Sequence, residues 1–146
     1  MTNTIDIIGD NALIDQIIRR SIAKIEDNVL LSIGSNAFTK CSKLTSVELP
    51  AATSIGDYAF SYCSKLTSVE LPAATSIGSS AFNSCSNLTS VELPAATSIG
   101  NFAFSYCSKL TDIYLSAKEG EISGAPWGAT KATIHYNYDF SQDGGE

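Results

Sequence analysis

Four cysteines constrain the architecture of this chain because they recur at a fixed interval. They stand at positions 41, 63, 85 and 107, so each lies 22 residues after the previous one. They mark three complete units, 41–62, 63–84 and 85–106, and a fourth unit that begins at Cys107 and diverges after Leu115. A fixed period of roughly 20 to 50 residues is typical of a solenoid, in which each unit stacks on its neighbours around a continuous core. The sequence therefore predicts a repeat solenoid.

The first half of each unit has the pattern of a β-strand. Val47 and Leu49 are two residues apart, so both side chains are predicted to point into the core. Ser46 and Glu48 then point outward, and Pro50 ends the strand because it lacks a backbone donor. Stacking of equivalent strands predicts a parallel β-sheet on one face of the solenoid.

The second half of each unit predicts a short strand followed by a helical turn. The segment 53–55 is rich in β-prone residues and is closed by Gly56. Residues 57–61 are predicted to form one helical turn that Asp57 caps and that buries Phe60. The face opposite the main sheet should therefore carry short strands and helical turns.

The same pattern extends to a degenerate first coil. Residues 22–40 align with 44–62, since Ser32-Ile33-Gly34 falls in phase with the Ser-Ile-Gly of the complete units. Before this coil, Asp10 or Asn11 is suited to cap a short helix that covers the first end of the core. The apolar stripe of this N-terminal capping helix consists of Leu13, Ile14, Ile17 and Ile18.

The other end departs from the repeat and is predicted to close the core. The turn-rich segment 116–130 contains Trp127, which is expected to plug the last coil. Residues 133–136 alternate as a C-terminal capping strand, and the residues from Asp139 onward are predicted to be disordered. The predicted sections are an N-terminal cap at 1–21, the solenoid at 22–115, a C-terminal cap at 116–138 and a disordered tail at 139–146.

The motif within each unit resembles a known family. The pattern C-x-x-L-x-x-V-x-L-P followed by S-I-G-x-x-A-F, seen from Cys41 to Phe60, resembles the BspA-like leucine-rich repeats of bacterial surface proteins. The resemblance covers about residues 22–115 and implies a solenoid of the leucine-rich-repeat type. It also implies a non-enzymatic protein-interaction module, adhesin-like or receptor-binding, located at the cell surface or outside the cell. Its ligands would be extracellular proteins, host matrix proteins among them.

A second resemblance leads to an alternative function. The block 125–130 resembles the ends of some repeat proteins encoded near phage tail genes. This implies a structural spacer or phage tail-fibre component, in which the repeats set length and no specific small ligand is bound.

Composition narrows the class of partner. The formal net charge is −6, and the nine basic residues are scattered along the chain. Nucleic acid and anionic membranes need clustered Lys and Arg, so nucleic acid is not an expected partner and neither is an anionic membrane surface. No apolar run approaches the roughly 18 residues of a membrane span, so we expect no membrane insertion. The first residues lack the basic and apolar regions of a secretory signal, so the chain either is not exported by that route or has lost its signal.

The cysteines and the single histidine are predicted to be structural. Equivalent residues of neighbouring coils lie ~4.8 Å apart, so the four cysteines cannot converge on one zinc ion, and parallel side chains disfavour a disulfide. A buried ladder of free thiols is expected. His135 lacks a nucleophile or ligand set beside it, and the chain contains no phosphate-binding loop or catalytic motif. We therefore predict no enzymatic activity, no metal and no cofactor.

Two surfaces are the candidate binding sites. One is a column of outward strand residues: Glu26, Glu48, Glu70, Glu92 and Tyr114. It is either a solvated acidic face or a strip for a cationic partner or weakly held divalent ions. The other is an aromatic flank on the convex side, where the units differ in sequence: Tyr58, Tyr62, Phe102 and Tyr106. These aromatic side chains either contact a partner or cover the backbone of the turn.

Overall fold

In the part of the chain that the structure describes, the regular secondary structure consists almost entirely of very short strands. The computed structural model describes residues 7–8 and 21–142, and the predicted capping helix around Leu13 lies outside the described residues. The strands are β1 (Ile7–Ile8), β2 (Lys24–Glu26), β3 (Ser32–Ile33), β4 (Ser46–Glu48), β5 (Ser54–Ile55), β6 (Ser68–Glu70), β7 (Ser76–Ile77), β8 (Ser90–Leu93), β9 (Ser98–Ile99), β10 (Asp112–Leu115) and β11 (Thr133–His135). A 3-10 helix, Phe140–Gln142, follows the last strand.

The strands form two parallel sheets that run along the solenoid. Sheet 1 has the order β11-β10-β8-β6-β4-β2, and sheet 2 has the order β1-β3-β5-β7-β9. In the regular coils the paired residues are equivalents one repeat apart, as Val47 is with Val69 and Ile55 with Ile77. The predicted parallel sheet, the second short strand and the degenerate first coil are confirmed. Below, coil 1 is residues 22–40, coil 2 is 41–62, coil 3 is 63–84 and coil 4 is 85–106.

The core is a stack of repeated layers. Leu44, Val47 and Ile55 are almost completely buried, and so are most of their equivalents in the next two coils. Phe38, Phe60, Phe82 and Phe104 form a ladder whose ring centroids are 5.4, 5.4 and 5.7 Å apart, with nearly parallel planes. The ladder links successive coils, because each ring packs on the ring before it.

The predicted helical turn over residues 57–61 is wrong, because these residues form consecutive turns. The amides at alternate positions donate to carbonyls of the next coil: Tyr58 to Ser79, Phe60 to Ala81 and Tyr62 to Asn83, at 2.9, 2.8 and 2.7 Å. A helix would use such amides for bonds to its own preceding turn. Tyr58 and Tyr62 take φ values of 58° and 61°, which lie in the left-handed region. Asp57 also bonds outside its own turn, since its carboxylate accepts from the Ser79 amide at 2.8 Å.

The N-terminal section contributes a strand that the sequence analysis does not predict. β1 pairs with β3, so that Ile8 lies opposite Ile33. The signal is Ile-Gly at positions 8–9, which repeats the Ile-Gly at 33–34. The interval is 25 residues and not 22, so a search at the fixed period misses it.

The C-terminal section packs against the last regular coil. Trp127 is only 1% exposed, and its carbonyl accepts from the Phe104 amide at 3.0 Å. β11 pairs in parallel with β10, as the alternating pattern predicts. Residues 139–142, part of the predicted disordered tail, contain the 3-10 helix, whose Phe140 ring packs edge-on against Tyr138 at 4.9 Å. Residues 143–146 lie outside the described residues.

Candidate interaction surface

Sheet 1 places the predicted glutamates in one column on its outer side. Glu26 pairs with Glu48, Glu48 with Glu70 and Glu70 with Glu92, which confirms the predicted register. Glu48 is half-buried and the other three are exposed. Like charges ~4.8 Å apart repel by about 1 kcal/mol per neighbouring pair in water. The carboxylates of this acidic column (Glu26, Glu48, Glu70 and Glu92) therefore repel one another, and a bound cation would relieve the repulsion.

A groove crosses the acidic column between β6 and β8. It has a volume of about 390 Å³, and Glu70 and Glu92 stand on its two sides. Val69 at this position is 9% exposed, whereas Val47 is 0% and Val91 is 2% exposed. The surface of sheet 1 is thus indented between the strands that carry Glu70 and Glu92. Sequence periodicity gives no signal for this groove, because coils 2, 3 and 4 have the same strand sequence.

At one end of the column the chain supplies its own cation. Lys24 Nζ lies 3.3 Å from Glu26 Oε1, and both side chains are more than half exposed. Lys24 is paired in register with Ser46, and Ser46 with Ser68. Serine therefore occupies the place of Lys24 in the following coils and provides no charge there.

At the other end the column continues into aromatic side chains. Tyr114 pairs with Glu92 on β8 and with His135 on β11. The Tyr114 and His135 rings stack with centroids 4.4 Å apart and planes 10° apart. Tyr138 packs edge-on against Tyr114 at 4.7 Å. His135 therefore supports the Tyr114 ring on the side away from Glu92, because β11 and β8 lie on opposite sides of β10.

A hydrogen bond to Asp112 fixes the position of His135. The Nε2 atom of His135 lies 2.8 Å from Asp112 Oδ1, and the Thr111 hydroxyl donates to Asp112 Oδ2 at 2.7 Å. The hydrogen bonds from His135 and Thr111 lower the pKa of Asp112. Thr111 and His135 each bond to an oxygen of Asp112, and within this cluster Thr111 does not bond to the imidazole. A catalytic nucleophile would have to bond directly to the imidazole that acts as its base.

The aromatic flank lies on the turn segment, away from sheet 1. Tyr58, Tyr62, Phe102 and Tyr106 are between 46% and 78% exposed. All four have φ values of 58° to 62°, but so do the smaller or polar residues at the equivalent positions of other coils, such as Asn36 and Ser84 at 59° and 63°. The turn thus does not require an aromatic side chain. A second groove, of about 480 Å³, lies beside Phe102 and Tyr106, and Gly128 and Lys131 also line it.

The four cysteines lie in the core as free thiols, which is the predicted arrangement. Each of the last three donates to a phenylalanine carbonyl 25 residues earlier in the chain: Cys63 to Phe38 at 3.3 Å, Cys85 to Phe60 at 3.2 Å and Cys107 to Phe82 at 3.1 Å. Burial raises the pKa of Cys85 and raises that of Cys107 to about 12. A thiol with a raised pKa holds little of the reactive thiolate, so these positions serve packing and not chemistry.

Three lysines that the sequence analysis describes as scattered occupy one repeat position. Lys43, Lys65 and Lys109 are all exposed and lie 22 or 44 residues apart, with Asn87 at the remaining place. The Lys109 ammonium donates to the Asn87 side chain at 2.8 Å. These lysines stand three residues before the strands β4, β6 and β10, whereas the glutamates lie within the strands of sheet 1.

The described residues contain no group of three potential metal ligands. Within the same part of the chain, no helix has both the length and the apolar character that a membrane crossing would require.

Solved structures with similar folds are bacterial leucine-rich repeat proteins. A leucine-rich cell surface protein from Faecalibacterium prausnitzii aligns over 92% of this chain with a TM-score of 0.67 and 24% identity. A leucine-rich repeat protein from Bacteroides ovatus aligns over 80% with a TM-score of 0.62 and 25% identity. A leucine-rich repeat protein of T. pallidum aligns over 90% of this chain and 74% of its own length, with a TM-score of 0.53 and 23% identity. The chain spans 43% and 37% of the lengths of the first two proteins.

No curated protein matches the chain significantly. The sequence profile described as "BspA type Leucine rich repeat region" matches residues 31–126 in six copies. Its repeats fall on the stacked coils of the two sheets, as the Cys41-to-Phe60 motif predicts. The chain belongs to the BspA-type leucine-rich repeat family.

Proposed function

We propose that the chain is a non-enzymatic protein-interaction module of a bacterial cell surface, and that it binds an extracellular protein through the acidic column of sheet 1. The leucine-rich repeat is a general protein-interaction fold, and one similar structure is described as a cell surface protein. The observation that carries the choice of face is the register of Glu48, Glu70 and Glu92. Carboxylates held in a row on paired strands present a fixed pattern of negative charge to a cationic partner.

The arrangement around His135 supports a non-enzymatic role. His135 and Thr111 both bond to Asp112, and stacking on Tyr114 covers one face of the imidazole. These contacts hold the last strand of sheet 1 against β10. Because Thr111 and His135 both form hydrogen bonds to the Asp112 carboxylate, a structural role is sufficient to explain why these three residues lie together.

Charge reversal of the acidic column tests this proposal. We expect the triple variant Glu48→Lys, Glu70→Lys, Glu92→Lys to bind a protein ligand roughly tenfold or more weakly, since it replaces attraction by repulsion along the whole contact. Binding is measured by surface plasmon resonance against a panel of immobilised extracellular matrix proteins. The matched control is Glu119→Lys, Glu121→Lys, Asp139→Lys, which changes the net charge by the same amount at exposed positions elsewhere. Equal losses in the two variants, or no binding of the unmodified chain, would contradict the proposal.

A second candidate function is a rigid spacer. It is favoured by the identity of residues 44–56 with the equivalent residues of the next two units, since identical coils add length without adding a distinct surface. A spacer predicts that neither triple variant changes binding. The phage tail-fibre version of this role, which rests on residues 125–130, stays a prediction.

A further inference from the structure

The groove and the aromatic end of the acidic column meet at Glu92. Glu92 lines the groove together with Glu70, and the same residue pairs with Tyr114 on β10. Since neighbouring strands are ~4.8 Å apart, two carboxylates and one aromatic ring lie within about 10 Å along sheet 1. This combination differs from the rest of the column, which has carboxylates alone.

The Tyr114 ring has a fixed orientation at this junction. Its stack on His135, at 10° between planes, sets the ring roughly perpendicular to the direction of the column. One face therefore contacts His135, and the other is turned back toward Glu92. Asp112 holds His135 at 2.8 Å, so the ring is supported from behind before any ligand binds. Orientation in advance lowers the entropic cost of binding.

The molecule itself indicates what this surface attracts. Lys24 places its ammonium 3.3 Å from Glu26 in coil 1, and serine takes its position in the next coils. His135 shows that a planar, nitrogen-bearing group stacks on Tyr114. A group that combines the charge of Lys24 with the planar shape of the His135 ring would complement Glu70, Glu92 and Tyr114 together.

We propose that Glu70, Glu92 and Tyr114 form a recognition site for an arginine side chain of the protein partner. The guanidinium lies against Tyr114 and donates hydrogen bonds to the carboxylates. Arginine fits better than lysine because its planar fork both stacks on an aromatic face and bonds carboxylates in pairs. A calcium ion fits less well, since it requires six to eight oxygens around one centre. The inference rests on the proposed function, because it assumes a protein ligand on this face.

A short peptide tests the site without the natural partner. N-acetyl-Gly-Arg-Gly-amide is titrated into the full chain at low ionic strength, alongside the lysine and citrulline analogues, and followed by NMR. We expect shift changes centred on Glu70, Glu92 and Tyr114, with arginine binding about 2- to 5-fold more tightly than lysine. Citrulline keeps the planar shape but lacks the charge, so we expect it not to bind measurably.

Four variants separate stacking from simple charge attraction. Tyr114→Leu should remove the preference for arginine over lysine, and Tyr114→Phe should keep it because the ring remains. Glu92→Gln should weaken both peptides by about 2- to 5-fold, while Glu119→Gln, at an exposed position outside sheet 1, should leave them unchanged. Equal binding of arginine and lysine to the unmodified chain, shifts centred elsewhere, or no binding would overturn the site.

The two proposals fail in different ways. If the peptide does not bind but the triple charge reversal still abolishes binding to a matrix protein, the arginine site is wrong and the proposed function stands. If the peptide binds as expected but the triple reversal leaves matrix binding unchanged, the site is real and the proposed function is wrong.

Discussion

Replacing Phe82 with alanine is expected to lower the free energy of unfolding by about 3–5 kcal/mol. The ring is fully buried and lies between Phe60 and Phe104, with centroid distances of 5.4 and 5.7 Å. Its removal loses the transfer free energy of a phenyl group and leaves a cavity inside a backbone that the inter-coil hydrogen bonds hold in place. In a solenoid each coil contacts only its neighbours, so this change also weakens the coupling of coils 2 and 4 to coil 3.

The chain contains a matched control for this prediction. Phe102 is the same residue type but is 62% exposed, so Phe102→Ala should change stability by no more than about 0.5 kcal/mol. Urea unfolding followed by circular dichroism measures both variants. Similar effects of the two substitutions would mean that the stacked phenylalanines are not the main contact between coils.

Adding a single methyl group at Gly78 is expected to cost about 1–3 kcal/mol, although alanine is otherwise a mild substitution. A Cβ at Gly78 would lie 2.5 Å from the Asp57 backbone nitrogen and 2.6 Å from the Gly56 carbonyl carbon. These are backbone atoms of the preceding coil, and they cannot move without breaking the hydrogen bond from the Gly78 amide to the Ile55 carbonyl at 2.8 Å. The glycine therefore sets how closely the coils approach.

Thermal unfolding of Gly78→Ala and of the neighbouring Ser79→Ala measures this effect. Ser79→Ala adds no atom between the coils, so its melting temperature should stay close to that of the unmodified chain. An unchanged melting temperature for Gly78→Ala would show that the coils have room to separate.

The repeat period predicts most of the fold because one physical rule, stacking of equivalent residues, determines it. The pairing of Glu48 with Glu70 follows from the 22-residue interval, and so does the burial of Cys63 as a free thiol. The turn over 57–61 cannot be predicted in the same way. Asp57 is a good helix cap by type, but its carboxylate bonds to Ser79 of the next coil, a contact that exists only after stacking.

The candidate surface is predictable in its outline and not in its detail. The sequence places Glu70, Glu92 and Tyr114 in one column, since they share a repeat position. The groove between β6 and β8 depends on small differences in packing between coils of equal sequence. The stack of His135 on Tyr114 depends on the position of the last strand, β11, beside β10. In contrast, the 22-residue interval is sufficient to predict that Lys43, Lys65 and Lys109 share one repeat position.

Hydroxyl-radical footprinting of the complex with a bound matrix protein tests the choice of sheet 1 most directly, because it reports the exposure of individual aromatic side chains. Tyr114 marks sheet 1, while Tyr58, Tyr62, Phe102 and Tyr106 mark the aromatic flank. We predict that binding strongly reduces the oxidation of Tyr114 and leaves the four flank residues as reactive as in the free chain. Protection of the flank with unchanged oxidation of Tyr114 would contradict the account and assign binding to the turn segment.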